Sequence, residues 1–101
     1  MKKRILITGS GGFLGSRLAE YFEGKDGYET VAVTHEELDI TDMVAVSAFF
    51  KAIRPQAVLH CAGLSNTGQC EADPLASGRI NVQGTENIAR ACRESGCRLI
   101  F

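Results

Sequence analysis

Three glycines near the start of the chain are spaced so that backbone N–H groups could bind an anion. Gly9, Gly12 and Gly15 follow a short apolar run and precede a pattern typical of an amphipathic helix. Glycine lets the backbone turn sharply and come close to an anion, and a helix start presents free N–H groups at the positive end of its dipole. The sequence therefore predicts a dinucleotide-binding turn in which Phe13 and Leu14 donate their N–H groups to the pyrophosphate.

Each glycine has a predicted role in this turn. We assign Gly9 to the turn itself, Gly12 to the close approach of the phosphates and Gly15 to the packing of the helix against the strand. The alternative is a glycine-rich turn that binds nothing, and the strand before it and the helix after it argue against that interpretation. A nucleoside-triphosphate P-loop is excluded, because no Gly-Lys-Ser/Thr sequence follows.

The elements that must hold this turn alternate between strand and helix. Short β-rich runs predict strands, and apolar residues at helical spacing predict helices. The predicted strands are residues 3–8, 30–34, 57–61 and 98–101, with residues 38–40 either a very short further strand or a loop. The helical patterns cover residues 14–22, 43–53 and 74–95.

This alternation is typical of parallel βαβ units with right-handed crossovers. It predicts an α/β fold, a Rossmann-type doubly wound parallel sheet of order 3-2-1-4-5 with helices on both faces. We interpret residues 1–101 as one NAD(P)-binding Rossmann domain. We expect this domain to be incomplete at its C-terminal end, because the last predicted strand would be an uncovered apolar edge.

The helix ends carry signals of their own. Thr41 is the predicted N-cap of the second helix, with Asp42 near the positive end of the helix dipole. Pro74 suits the first position of the third helix, and Gly96 suits its end. Gly84 weakens that helix locally, and a glycine in such a place often lets another backbone or a ligand come close.

Composition restricts the classes of function. The chain has 101 residues, of which 45% are hydrophobic and 23% charged, with a formal net charge of −1. These values exclude a disordered chain and leave no overall positive field for nucleic acid or an anionic membrane. No apolar stretch is long enough to span a bilayer. We expect a cytoplasmic protein.

The four cysteines do not indicate a metal site. The sequence has no C-x-x-C pair, and its two histidines lack zinc-finger spacing. We therefore expect no metal, and we interpret the cysteines as reduced thiols that are buried or inert.

Four phrases of the sequence together resemble the extended short-chain dehydrogenase/reductase family, which includes NAD-dependent epimerases and dehydratases. They are TGSGGFLG at residues 8–15, EELDITD at 36–42, RPQAVLHCAG at 54–63 and NVQGTENIA at 81–89. Within the family, the LDITD phrase and its spacing to Arg-Pro are most similar to the dTDP-4-dehydrorhamnose reductases. The resemblance covers essentially the whole chain.

The resemblance implies a set of cofactor-binding residues. Asp39 and Ile40 would flank the adenine, while Ala62, Gly63 and Ser65 would line the ribose and nicotinamide side. The alternative for Asp39 is a helix-start residue that contacts no ligand. The complete implied set comprises Gly9, Gly12, Phe13, Leu14, Gly15, His35, Asp39, Ile40, Ala62, Gly63 and Ser65.

The identity of the cofactor depends on the end of the second strand. Many NAD-specific relatives have an acidic residue there that binds the ribose 2′-hydroxyl, whereas this chain has Thr34 and His35. Losing the carboxylate removes its repulsion of a 2′-phosphate, so we expect NADP or NAD as cofactor. His35 could add a favourable charge when protonated, or it could be an exposed loop histidine. We interpret His60 as a packed strand residue.

The resemblance also implies an activity and partners. It implies the NAD(P)-binding half of a sugar-nucleotide reductase, which transfers hydride from NAD(P)H to a keto-sugar nucleotide. The implied partners are a nucleotide-sugar substrate and further copies in a homo-oligomer, with no nucleic acid and no membrane. Alternatives are an epimerase or dehydratase, and a non-catalytic NADP-binding regulatory subunit.

No catalytic residue is nominated. The family uses a Tyr-x-x-x-Lys pair and a serine or threonine. Tyr21 and Lys25 have this spacing, but they lie at the far end of the first predicted helix and straddle Gly24, which favours a chance occurrence. We expect this segment alone to be inactive. A serine or threonine soon after Phe101, followed by Tyr-x-x-x-Lys, would favour the enzyme over the regulatory subunit.

Overall fold

A computed structural model of the protein describes residues 3–61 and 74–100, with side chains for 3–61 and 82–100. Strands and helices alternate along these residues, as the sequence predicts. They are β1 (Lys3–Thr8), α1 (Phe13–Glu23), β2 (Tyr28–Val33), α2 (Met43–Ile53), β3 (Ala57–His60), α3 (Pro74–Ser95) and β4 (Arg98–Ile100).

The described strands form one parallel sheet in the order β2-β1-β3-β4. This confirms the predicted Rossmann-type topology except at one point. Leu38 and its neighbours up to Ile40 form no strand, so the predicted order loses its first member. The Ile40 carbonyl instead accepts a hydrogen bond from the Asn87 side chain of α3 at 2.9 Å, and Asp39 bonds locally to Thr41. These bonds hold the segment as turns.

The core lies on both faces of the sheet. Residues along β1 alternate in the side they face: Leu6 packs with α2 and α3, whereas Ile5 and Ile7 pack with α1. Leu6 and Ile7 are fully buried, and burying a side chain of that size contributes about 2 kcal/mol. The helices therefore cover both faces, and the loops at the carboxyl ends of the strands are left to build a site.

The buried face of α1 does not include every apolar residue at helical spacing. Leu18 and Phe22 pack on the sheet side, whereas Leu14 is 46% exposed. Gly15 and Ala19 are the buried residues of this helix. Because Gly15 has no side chain, the first turn of α1 lies directly on the preceding loop, and Leu14 remains on the outside.

The cap of α2 is Asp42, and the prediction of Thr41 was wrong. Oδ1 of Asp42 accepts hydrogen bonds from the backbone N–H groups of Val44 and Ala45, at 3.1 and 3.2 Å. Thr41 instead donates both its N–H and its hydroxyl to Asp39. Thr41 thus stabilises the turn before the helix, and Asp42 caps the helix itself.

The ends of α3 agree with the sequence. Pro74 is its first residue. Gly96 follows the last turn with φ of 74°, and the N–H of Cys97 donates to the carbonyl of Cys92 at 2.9 Å, as in a Schellman motif. No helix in the described ranges has the length and apolar character needed to cross a membrane.

The described cysteines are free thiols, as predicted. Cys61 and Cys92 are buried, and Cys97 is partly exposed. Burial raises the pKa of Cys61, and burial together with the neighbouring Cys97 raises the pKa of Cys92 to about 12. These thiols are therefore protonated and poorly nucleophilic at neutral pH. Cys70 lies outside the described residues.

Candidate functional site

The glycine turn joins the carboxyl end of β1 to the start of α1. Gly9 has a φ of 70°, a left-handed conformation that favours glycine, and its carbonyl accepts a hydrogen bond from the N–H of Gly12 at 3.0 Å. The N–H of Ser10 donates to the carbonyl of Val33 at 3.0 Å. The bond between Gly9 and Gly12 forms the tight turn that was assigned to Gly9, and the bond from Ser10 fixes this turn to the end of β2.

Gly15 brings α1 against this turn. A Cβ atom at Gly15 would overlap the Gly9 carbonyl oxygen and would lie 2.8 Å from its carbonyl carbon and 3.1 Å from Cα of Ser10. Real Cβ atoms do not approach backbone that closely, so any side chain here must push the helix away from the loop. The close packing expected at Gly15 is present, but its partner is the turn at Gly9 and Ser10 rather than the strand itself.

The first turn of α1 has no side-chain cap. Gly12 occupies the N-cap position in an extended conformation, no side chain among the described residues caps the helix, and its first turn holds no acidic residue. Phe13 is 71% exposed and Leu14 46% exposed, so the helix start is open to solvent. Uncapped N–H groups and close-packed glycine backbone together fit a diphosphate.

The predicted adenine side of the site is a well-fixed loop. Oδ1 of Asp39 accepts from the Thr41 hydroxyl at 2.6 Å and from its N–H at 3.0 Å, and these two bonds lower the pKa of Asp39. The carboxylate remains exposed. The carbonyl of Ile40 is held by Asn87 of α3. Contact of Asp39 and Ile40 with adenine stays a prediction.

A feature missed in the sequence lies at the end of β2. The Thr34 N–H donates to Oε1 of Glu37 at 3.0 Å, and the Glu37 N–H donates to the Thr34 hydroxyl oxygen at 3.3 Å. This reciprocal pair of bonds has the pattern of a capping box, here around a single turn, and the T-x-x-E pattern of residues 34–37 could have indicated it. It brings the Glu37 carboxylate back to the end of β2, while His35 is exposed. Thr34 and His35 alone suggested an end of β2 without a carboxylate, but Glu37 places one there.

His60 is a packed strand residue, as predicted, and it also links three elements. It is buried, its Nδ1 lies 2.7 Å from Oγ1 of Thr8, and its Nε2 lies 3.0 Å from Oγ1 of Thr85 on α3. The same Thr8 oxygen accepts from the N–H of Cys61 at 3.2 Å. Burial lowers the pKa of His60, so its ring is neutral at neutral pH.

Comparison with known proteins decides the family. A protein-family model described as the RmlD substrate binding domain matches residues 2–101. The chain belongs to this family. The resemblance to reductases of the extended short-chain family that the sequence phrases predict is thereby confirmed.

Individual relatives agree with this assignment. The chain is 35% identical over 100 residues to dTDP-4-keto-6-deoxy-D-glucose reductase of Streptomyces niveus, which covers 99% of this chain and 34% of that protein. It is 30% identical to methionine adenosyltransferase 2 subunit beta of Xenopus tropicalis, covering 98% of this chain and 31% of that protein. The chain thus spans about a third of the length of these relatives.

A solved structure matches the fold closely. The dTDP-4-dehydrorhamnose reductase of Bacillus anthracis, determined in complex with NADP, superposes with a TM-score of 0.88 at 33% identity. The match covers 100% of this chain and 36% of that chain. This likeness confirms the predicted α/β fold.

Some predicted residues of this RmlD-family site lie outside the described ranges. They are Ala62, Gly63 and Ser65, and their roles stay predictions. Tyr21 and Lys25 are described: Nζ of Lys25 lies 4.7 Å from the centre of the Tyr21 ring, in a cation–π contact at the end of α1 remote from the glycine turn. This placement agrees with the interpretation of their spacing as a chance occurrence.

Proposed function

We propose that the protein binds NAD(P) and serves as the cofactor-binding part of a sugar-nucleotide reductase similar to the dTDP-4-dehydrorhamnose reductases. The observation that carries the proposal is the glycine turn. Gly15 lies against Gly9 with no room for a side chain, and the helix start that follows has no cap of its own. The names of the relatives support a reductase.

The residues that would hold the cofactor fall into three groups. The backbone of Gly9, Gly12 and Gly15 would admit the pyrophosphate, which the N–H groups of Phe13 and Leu14 would bind. The loop of Asp39 and Ile40 would lie beside the adenine, and His35 would stand near the adenosine ribose. Proposed for the nicotinamide side are Ala62, Gly63 and Ser65.

The chemistry divides between cofactor and chain. A bound nicotinamide cofactor supplies the hydride that reduces a carbonyl carbon. The described residues of this chain would bind and orient the cofactor. The N–H groups at the start of α1 would hold its diphosphate, and the bonds from Thr41 keep the carboxylate of Asp39 ionised. No described residue is proposed as the acid that protonates the sugar oxygen.

Both cofactors remain part of the proposal. The Bacillus anthracis reductase binds NADP, which supports NADP here. Glu37 at the end of β2 supports NAD, because a carboxylate there disfavours a 2′-phosphate. We infer that the chain accepts either form and that its preference depends on charges near Thr34.

Calorimetry on the complete gene product tests the proposal. NADPH or NADH should bind with one site per chain, and a dTDP-4-keto-6-deoxy sugar should then be reduced with loss of absorbance at 340 nm. Failure of both dinucleotides to bind would overturn the proposal.

A non-catalytic regulatory subunit is the second candidate, and one observation favours it. The similarity to methionine adenosyltransferase 2 subunit beta extends over 98% of this chain. NADPH binding without turnover of any keto-sugar nucleotide would support this candidate, whereas interconversion of sugar epimers without net oxidation would support an epimerase.

Location and assembly complete the proposal. We propose a cytoplasmic protein, which the free thiols of Cys61, Cys92 and Cys97 support because disulfides are rare in that compartment. We also propose a homo-oligomer with a nucleotide-sugar substrate. Light scattering on the complete gene product tests the oligomer.

A further inference from the structure

One turn of α3 contacts the predicted adenine loop. A Cβ atom at Gly84 would lie 2.5 Å from Cγ1 of Ile40, so the absence of a side chain lets Ile40 pack directly on the helix. Nδ2 of Asn87 donates to the carbonyl oxygen of Ile40 at 2.9 Å, and Oδ1 of Asn87 accepts from the Gln83 side chain at 3.1 Å. Asn87 is buried. The loop is thus held by both shape and a buried hydrogen bond.

The same turn of α3 is also linked, through His60 of β3, to β1, the strand that the glycine turn follows. Thr85 lies between Gly84 and Asn87, and its hydroxyl oxygen is 3.0 Å from Nε2 of His60. On its other side the His60 ring meets Thr8, the residue that directly precedes Gly9. One chain of hydrogen bonds, buried at Thr8 and His60 and half-buried at Thr85, therefore connects α3, β3 and the end of β1.

We propose that Gly84, Thr85 and Asn87, called here the α3 clamp, are positioning residues that set the two halves of the dinucleotide site independently. Gly84 and Asn87 place the adenine loop through Ile40. Thr85 places the glycine turn through His60 and Thr8. The inference rests on the proposed function, because it assumes that these two segments hold the two halves of one ligand.

This arrangement has a consequence that general stabilisation would not have. Binding groups that are held in place beforehand bind more tightly, so a remote change that displaces them weakens affinity. Breaking the contact to Ile40 should therefore affect every ligand that contains adenosine. Breaking the contact to His60 should affect only ligands whose diphosphate uses the glycine turn.

Two variants of the complete gene product separate these effects, with ADP and AMP as probes. Asn87→Ala removes the donor to Ile40, so it should weaken ADP and AMP by the same factor, about tenfold. Thr85→Val replaces the hydroxyl by a methyl group of similar size, so it should weaken ADP about tenfold and AMP much less. Calorimetry measures both affinities, and the ADP-to-AMP affinity ratio is the readout.

Matched controls address folding. Thr85→Ser keeps the hydroxyl and should restore the wild-type ratio. Arg90→Ala removes an exposed side chain of the same helix, whose contact is the ion pair with Glu94, and should leave both affinities unchanged. Thermal unfolding checks each variant, and Asn87→Gln, which keeps an amide but changes its reach, replaces Asn87→Ala if that variant does not fold.

The outcomes distinguish the inference from the proposed function. Folded variants that bind ADP and AMP as the wild type does would overturn the α3 clamp, as would an equal loss for both ligands in both variants. In either case wild-type binding of ADP would leave the proposed function intact. A wild-type protein that binds neither ADP nor NADPH would overturn the proposed function and the clamp with it.

Discussion

Two helices of the same sheet begin in opposite ways. The N-cap residue of α2 is Asp42, whose carboxylate accepts hydrogen bonds from the N–H groups of Val44 and Ala45. The N-cap residue of α1 is Gly12, which has no side chain that could accept one. The N–H groups of a first helical turn need partners from a cap, water or a ligand. The protein therefore satisfies the start of α2 with its own side chain and leaves the N–H groups at the start of α1 available to an anion.

The largest expected effect comes from filling the space beneath α1. Gly15→Ala should lower the free energy of unfolding by about 3 kcal/mol, because its Cβ overlaps the Gly9 backbone. Gly24→Ala is the matched control, since its Cβ would meet only ordinary contacts at 3.8 Å or more and its φ is negative. Urea unfolding measures both. Equal stability of the two variants would contradict the described packing.

A capping carboxylate at the start of α1, like the one at the start of α2, should occupy the N–H groups that are otherwise left to an anion. In Gly12→Asp a carboxylate competes with the diphosphate for the same N–H groups and repels it, so NADPH affinity should fall about a hundredfold. Gly12→Asn offers a neutral cap and should lose less. Calorimetry compares the two, and an Asp variant that binds as tightly as wild type would show that no anion uses this helix start.

The buried histidine behind the glycine turn makes stability depend on pH. Burial lowers the pKa of His60, so the unfolded chain takes up a proton more readily than the folded one. Stability should therefore be complete above about pH 6.5, the ordinary pKa of histidine, and should fall as the pH is lowered below it.

Two variants test this dependence. His60→Asn cannot bridge Thr8 and Thr85, so it should cost about 2 kcal/mol at pH 7.5 and lessen the loss between pH 7 and 5. Gly24→Ala changes no titratable group and should keep the wild-type dependence. Urea unfolding at several pH values gives the answer, and an unchanged slope in His60→Asn would refute the assignment.

The smallest effect is expected at the capped helix. Asp42→Ala should lower the free energy of unfolding by about 1 kcal/mol through loss of its bonds to Val44 and Ala45, with no change in NADPH affinity. Urea unfolding and calorimetry measure the two quantities. A large loss of affinity with little loss of stability would reverse the roles assigned to the two helix starts.

Much of the fold and part of the site followed from the sequence because their causes are local. The left-handed turn at Gly9 and the close packing at Gly15 are requirements of the backbone that only glycine meets easily. The helix end at Gly96 is of the same kind. The strands and helices could also be predicted, because the spacing of apolar residues shows which face of each element is buried.

What the sequence did not determine depends on contacts between distant residues. Residues 38–40 form no strand, and the side chain that holds the Ile40 carbonyl is Asn87, which lies 47 positions further along the chain. The links from Thr8 to His60 and on to Thr85 span 52 and 25 positions, and no local pattern announces them. The cap of α2 lies one residue beyond the predicted Thr41, because Thr41 donates to Asp39 while Asp42 accepts from Val44 and Ala45.

An NMR titration of the uniformly 15N-labelled complete gene product with NADPH reports on the N–H groups of the two helix starts separately. The backbone N–H signals of Phe13 and Leu14 should shift most strongly, while those of Val44 and Ala45 should hardly move. Unchanged signals at Phe13 and Leu14 on saturation with NADPH would contradict this expectation.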